Sequence, residues 1–191
     1  AGGEPATYRF RLADGTIDFY NLSQDVAYRA RLGPDGSVGE FELLPAVLPV
    51  GGDLGGVCEV VGNHLFISDG TSLHVAHIGP AGIGPWSAQV PGFDLTDHRL
   101  IRMPGDKLLA VGGYDGANTV PSCFSAQINS SGEANPVTWH QTSPMPTEKE
   151  EFGLTRIGNR LFAIGGLDDA NAVQTEVYTT RIEPSGTVGG I

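Results

Sequence analysis

The chain has 191 residues, 28 of them glycine, with only 17% charged residues and a net charge of −11. That length allows one well-buried core or several small units sharing one. The acid excess opposes nucleic acid and anionic lipid surfaces, which need clustered Lys and Arg. No apolar run reaches about 18 residues, so no membrane span is expected. No basic-then-apolar leader opens "AGGEPATYRF". Two cysteines, Cys58 and Cys123, are too few for a disulfide framework.

In chain order, the same four-strand pattern is read four times, over residues 6–49, 50–97, 98–150 and 151–191. The first unit offers "ATYRFRLAD", "GTIDFYN" and "VAYRARL", then a fourth strand opening at Phe41 and running toward Pro45. The second offers "GGVCEVVGN", "NHLFISDG" and "LHVAHI", then Trp86 toward Pro91. The third offers "HRLIRMPGD", "DKLLAVGG" and "SCFSAQI", then Trp139 toward Pro144. The fourth offers "EFGLTRIGN", "NRLFAIGG" and "VYTTRI". Asp14-Gly15, Gly62-Asn63, Gly105-Asp106 and Gly158-Asn159 join first to second strands, and such pairs tolerate the positive φ of a hairpin turn. Gly36, Gly82, Gly132 and Gly186 close the later turns. No segment carries helical periodicity.

The third strands alternate with a period of two. Ala30, Ala76, Ala126 and Thr180 fall on one face, with Tyr28, His74, Phe124 and Tyr178 one step back on the same face. Arg31, His77, Gln127 and Arg181 fall on the other. Large-small-large against polar describes a half-buried strand.

A repeat of about 50 residues with Gly-Gly after the second strand (Gly112-Gly113, Gly165-Gly166), an aromatic in the third and Trp opening the fourth resembles the Kelch repeat. The match is fullest in the third and fourth units; the second has "ISDG" in place of Gly-Gly, and the first keeps only the pattern. The resemblance implies an all-β fold, a Kelch-like β-propeller of four-stranded antiparallel blades packed face to face around an axis. It covers the whole chain as a single propeller domain or partial propeller. Kelch propellers usually have more than four blades, so three outcomes are open: a piece of a longer protein, a ring completed by another subunit, or a closed four-bladed ring. A fourth unit without its outer strand is expected to leave an unpaired edge.

Several clusters invite chemistry, and local geometry argues against each. His74 and His77 lie three apart on a strand and point to opposite faces, so they cannot share an ion. Asp115 with Asn118, and Asp168 with Asp169 and Asn171, are expected to shape turns rather than hold calcium. Cys58 and Cys123 are expected as two buried thiols, too far apart to bridge. Glu148, Glu150 and Glu151 around Lys149 read as a solvated crossing between blades. "VGGDLGG" leads into a strand and so cannot cradle phosphate on a helix. Asn21-Leu22-Ser23 and Asn129-Ser130-Ser131 fit the glycosylation pattern, with meaning only for a secreted chain. Some Kelch relatives are copper oxidases using Tyr, Cys and His, but no matching motif is present. No catalytic residue, metal site or cofactor is assigned.

The expected function is therefore a non-catalytic scaffold binding a protein partner through blade-end loops, at Phe93, Asp94, Asp97, Tyr114, Asp115, Asn118, Glu148, Glu150 and Glu151. Self-assembly through the open strand edge, as a surface or virion component, is the second reading. A carbohydrate-binding or carbohydrate-active module is the third. An extracellular, cell-surface or virion location is favoured over the cytoplasm.

Overall fold

The computed structural model describes residues 6–11, 17–23, 26–44, 57–128 and 137–189. These form four antiparallel sheets, each taking its strands in chain order. The first joins β1 (Ala6–Arg11), β2 (Ile17–Ser23), β3 (Val26–Arg31) and β4 (Glu42–Leu43). The second joins β5 (Cys58–Val61), β6 (His64–Ser68), β7 (Leu73–Gly79) and β8 (Gly82–Gln89). The third joins β9 (Arg99–Met103), β10 (Lys107–Val111), β11 (Cys123–Gln127) and β12 (Trp139–Thr142). The fourth joins β13 (Gly153–Ile157), β14 (Arg160–Ile164) and β15 (Val177–Arg181). Among the described residues there is no helix.

Turn chemistry sets each register. Gly62 (φ 60°), Gly105 (φ 73°) with Asp106 (φ 52°), and Gly158 (φ 60°) all adopt the left-handed conformation that the first-to-second-strand turns require. The Asp14-Gly15 turn, Gly132 and "VGGDLGG" lie outside the described residues. In the third strands Ala30, Ala76, Ala126 and Thr180 are buried, while Arg31, His77, Gln127 and Arg181 are exposed, as a half-buried strand demands. The fourth sheet does not leave a wholly bare edge. An Ile182–Val188 bridge, and the Gly189 N–H donating to the Arg181 carbonyl at 3.3 Å, begin a return along β15.

A lone four-stranded sheet has two faces to bury, and the facing sides of successive sheets are buried against one another. Between the first and second lie Ala27, Leu44, Cys58, Val60, Leu65, Ile67 and Ile78. Between the second and third lie Val61, Phe66, Leu73, Val75, Leu100, Leu108, Ala110 and Ile128, with Phe93, Phe124 and Trp139 packed on them. Between the third and fourth lie Met103, Leu109, Val111, Cys123, Met145, Phe152, Leu161, Ala163 and Ile182. Each such Leu, Ile or Phe contributes about 1.5–3 kcal/mol when fully buried. The inner strands β5, β9 and β13 come together in that order.

The glycines after the second strands explain how the sheets approach. At Gly166 (φ 99°) a Cβ would lie 2.7 Å from the Glu150 carbonyl oxygen, and at Gly112 (φ 60°) 2.6 Å from that of Lys149. The crossing segment 144–152 therefore passes over both pairs at backbone contact. In the second sheet Gly70 (φ 95°) stands in the place of Gly113 (φ 107°) and Gly166, 3.0 Å from the Leu95 carbonyl oxygen. The second glycine is thus the one all three sheets share, and Asp69 takes the first position without loss of the crossing.

Candidate functional site

Strands alternate in direction, so the loops after every second strand and the crossings after every fourth emerge at one end of the sheets. All nine residues singled out from sequence lie at that end, in segments 93–97, 114–118 and 148–151. Backbone pairing draws these segments together. Tyr114 bridges to both Thr96 and Thr119, and Leu167 bridges to both Glu150 and Val173. Asp169 accepts the Thr119 N–H at 2.9 Å, tying the loop of the fourth sheet to that of the third.

The chemistry of this end is acidic. Its described loops and crossings carry Asp69, Asp94, Asp97, Asp115, Glu148, Glu150, Glu151, Asp168, Asp169 and Glu176, and a single Lys or Arg, Lys149. The opposite end carries Arg31, Arg102, Lys107, Arg156, Arg160 and Arg181 together with Asp35, Glu40, Asp106 and Glu183. Crowding shows in one titration. Burial raises the Glu150 carboxyl above its ordinary value, and the negative charges of Asp97, Glu151 and Asp169 push the same way, against a hydrogen bond with Thr119. Asp115 is shifted downward because it accepts the N–H groups of Asn118 (2.8 Å) and Ala117 (2.9 Å). Asp168 likewise accepts from Ala170 and Ala172, both at 2.9 Å. These are the turn-shaping bonds expected of both aspartates.

Asp94, Asp97, Asp115, Asn118 and Glu151 are exposed, and Tyr114, Glu148 and Glu150 are half-buried. Phe93 points inward. Its ring stacks on Phe124 at 4.8 Å and meets Trp139 edge-on at 5.1 Å, so it holds up the loop rather than offering a contact. The reading of 148–151 as wholly solvated is corrected by Lys149, which is completely buried. Its Nζ makes no hydrogen bond, lies 5.1 Å from the Tyr178 ring centroid and sits 3.9 Å from Glu176 Oε2. His74 is also more than a packed ring, since its Nε2 lies 3.0 Å from Asp69 Oδ2.

Along the axis a groove of about 510 Å³ is lined by Cys58, Glu59, Arg99, Leu100, Ile101, Glu151, Phe152, Gly153, Leu154 and Thr155. Two of its charged groups are already engaged. Glu59 accepts the Arg102 N–H at 2.9 Å and the Val60 N–H at 2.9 Å, joining β5 to β9, while burial raises its carboxyl above the ordinary range. Arg99 donates to the Phe152 carbonyl at 2.6 Å, joining β9 to the segment entering β13. Sequence reasoning missed both ties, and also His98. That imidazole is fully buried, and desolvation holds its pKa down to about 4. The neutral ring sets Nδ1 2.8 Å from the Leu95 carbonyl and leaves Nε2 without a partner.

Neither a family model nor a curated protein sequence matches the chain. Among solved structures it is similar to a fungal alcohol oxidase of the AA5 family in complex with copper, whose catalytic domain is a Kelch-like β-propeller. The TM-score is 0.55 at 8% identity, over 98% of this chain and 44% of that one. The fold is thus that of Kelch-like propeller blades, and this chain spans less than half the length of the oxidase. Among the described residues no three His, Cys, Asp or Glu side chains come together as a metal site. Cys58, the sulfur in the axial groove, is buried, and burial pushes its thiol well above the ordinary range, away from the thiolate a metal needs. Cys123 is likewise a buried free thiol, pushed up to about 11. These residues do not fit a copper centre.

Proposed function

We propose that this module is a non-catalytic scaffold whose acidic loop end docks a partner protein through a cationic surface. The observation that carries the reading is the separation of charge: carboxylates crowd the loops and crossings at one end, the lysine among them is buried, and the surface cations lie at the other end. Rigid sheets hold loops at fixed spacing, which suits a broad contact. Complementary charge steers association and fixes register, with a steep dependence on salt. The axial groove supports an enzymatic or carbohydrate reading less well, because Glu59 and Arg99 are spent on joining inner strands.

The test is a panel of Lys/Arg-rich peptides immobilised beside acidic controls of equal length. Binding that weakens about tenfold between 50 and 200 mM salt, and a further tenfold in the Asp94→Lys, Glu151→Lys double variant, supports the reading. Equal loss from Arg156→Glu, Arg181→Glu at the opposite end would remove it.

A further inference from the structure

We propose that His64 and His77 form a two-imidazole site on the second sheet that binds a borderline divalent metal ion, with Zn²⁺ as the probe. The pair lies at the end of the sheets opposite the acidic loops, so it stands or falls apart from the docking reading.

Cross-strand register brings the two rings together. His64 on β6 pairs directly with His77 on β7, so both side chains rise from the same face. The Ile78 N–H donates to the Asn63 carbonyl at 2.7 Å, which makes 63 and 78 a hydrogen-bonded pair. One step along, His64 and His77 are then a non-hydrogen-bonded pair, whose Cα atoms stand closer, at about 4.5 Å. Their ring centroids are 5.4 Å apart. Next to them on the same face Phe66 pairs with Val75, and both are buried, which anchors one side of the site. His77 is exposed and His64 half-buried, so an ion reaches the pair from solvent.

That spacing suits a shared ion. Imidazole nitrogens bind Zn²⁺ at about 2.0–2.1 Å, which sets two rings on one tetrahedral ion with centres about 5 Å apart. The rings meet edge to face at 72°, and aiming one nitrogen of each at a common point takes rotation about χ2, a torsion with a broad minimum. Each ring gives one nitrogen to the ion and keeps the other for a hydrogen bond, as metal-bound histidines do. Two protein ligands leave the remaining positions to water or to a donor from outside the chain. Borderline ions favour imidazole, whereas Ca²⁺ and Mg²⁺ favour oxygen.

The fold itself does not ask for imidazoles here. The equivalent cross-strand pairs are Asp18 with Arg31, Lys107 with Gln127 and Arg160 with Arg181. Each of these includes a Lys or Arg, a permanent cation with no lone pair to offer a metal. Only the second sheet sets two lone-pair donors side by side at this place. The other histidines make no such pair: His74 Nε2 lies 3.0 Å from Asp69 Oδ2, His98 is fully buried, and His140 stands opposite Ser125 on the third sheet.

Zn²⁺ titrated into the intact chain by calorimetry should saturate a single site, and the ring resonances of His64 and His77 should shift together. His77→Ala, at an exposed position that leaves the fold intact, and His64→Gln should each weaken binding about tenfold or more. His140→Ala, which removes an exposed histidine from another sheet, should leave the affinity within about twofold. Because the ion binds the folded chain, saturating Zn²⁺ should raise the melting temperature of the parent and of His140→Ala but not of His77→Ala. The absence of saturable binding up to about 1 mM Zn²⁺ overturns the proposal. So does binding that persists unchanged in His77→Ala or in His64→Gln, which would put the ion on the carboxylates of the loop end.

Discussion

The two described crossings from one sheet to the next, 93–98 and 147–152, share a backbone and differ in chemistry. Asp97 (φ 52°) and Glu151 (φ 51°) adopt the same left-handed conformation, and Thr96 and Glu150 bridge to the corresponding residues Tyr114 and Leu167. Two positions in each crossing are buried. In the first they are Leu95 and His98; in the second they are Lys149 and Phe152. The lesson is that the fold dictates where a side chain must be buried, while leaving open whether it is apolar. Each crossing carries one polar group at a position its twin fills with hydrocarbon.

Replacing a glycine under a crossing breaks the comparison outright. Gly113→Val would drive a side chain into the Thr96 and His98 backbone at φ 107°, at a cost of about 3 kcal/mol or more in urea unfolding. Gly116→Val, at φ 90° with open space around it, should cost no more than about half as much. If the two variants unfold alike, close backbone approach does not explain the shared glycine.

The buried histidine gives the next largest effect. Its folded pKa of about 4 lies below the ordinary 6.5, so below pH 6.5 the unfolded chain binds the proton first. Stability contributed by the neutral ring is complete above pH 6.5 and falls progressively down to pH 4, by about 2–3 kcal/mol in total. His98→Phe, which copies the twin crossing, should flatten that interval of the stability–pH curve. An unchanged slope would assign the loss to other groups.

Lys149→Met should stabilise the fold by about 1–2 kcal/mol, because a buried ammonium held by one pair at 3.9 Å gives way to a hydrocarbon of similar length. Destabilisation would show that the ammonium over Tyr178 outweighs its desolvation. The smallest effect is expected at Asp169→Ala, which removes one hydrogen bond to Thr119 between loops, for about 0.5–1 kcal/mol in the same unfolding assay.

Most of the sheet architecture was legible because strands report burial with a period of two: Ala30, Ala76, Ala126 and Thr180 are buried where the alternation placed them. Crossings have no such period. The run from Glu148 to Glu151 reads as uniformly hydrophilic, and only its alignment with Leu95 through the shared left-handed residue reveals that Lys149 points inward. Phe93 reads as a loop residue for the same reason, although its ring packs against Phe124 and Trp139. The convergence of Asp97, Glu150 and Asp169 was hidden too, since Asp97 precedes the other two by more than fifty residues and meets them only through pairing of adjacent sheets.

Sequence alone settled the repeated four-strand unit, because glycine-bearing turns and alternating faces are local properties that need no neighbour. Tertiary structure decided which faces are closed and which remain open, where a lysine and a histidine lose their water, and how charge divides between the two ends. Those depend on how one sheet is laid against the next, which no stretch of chain encodes by itself.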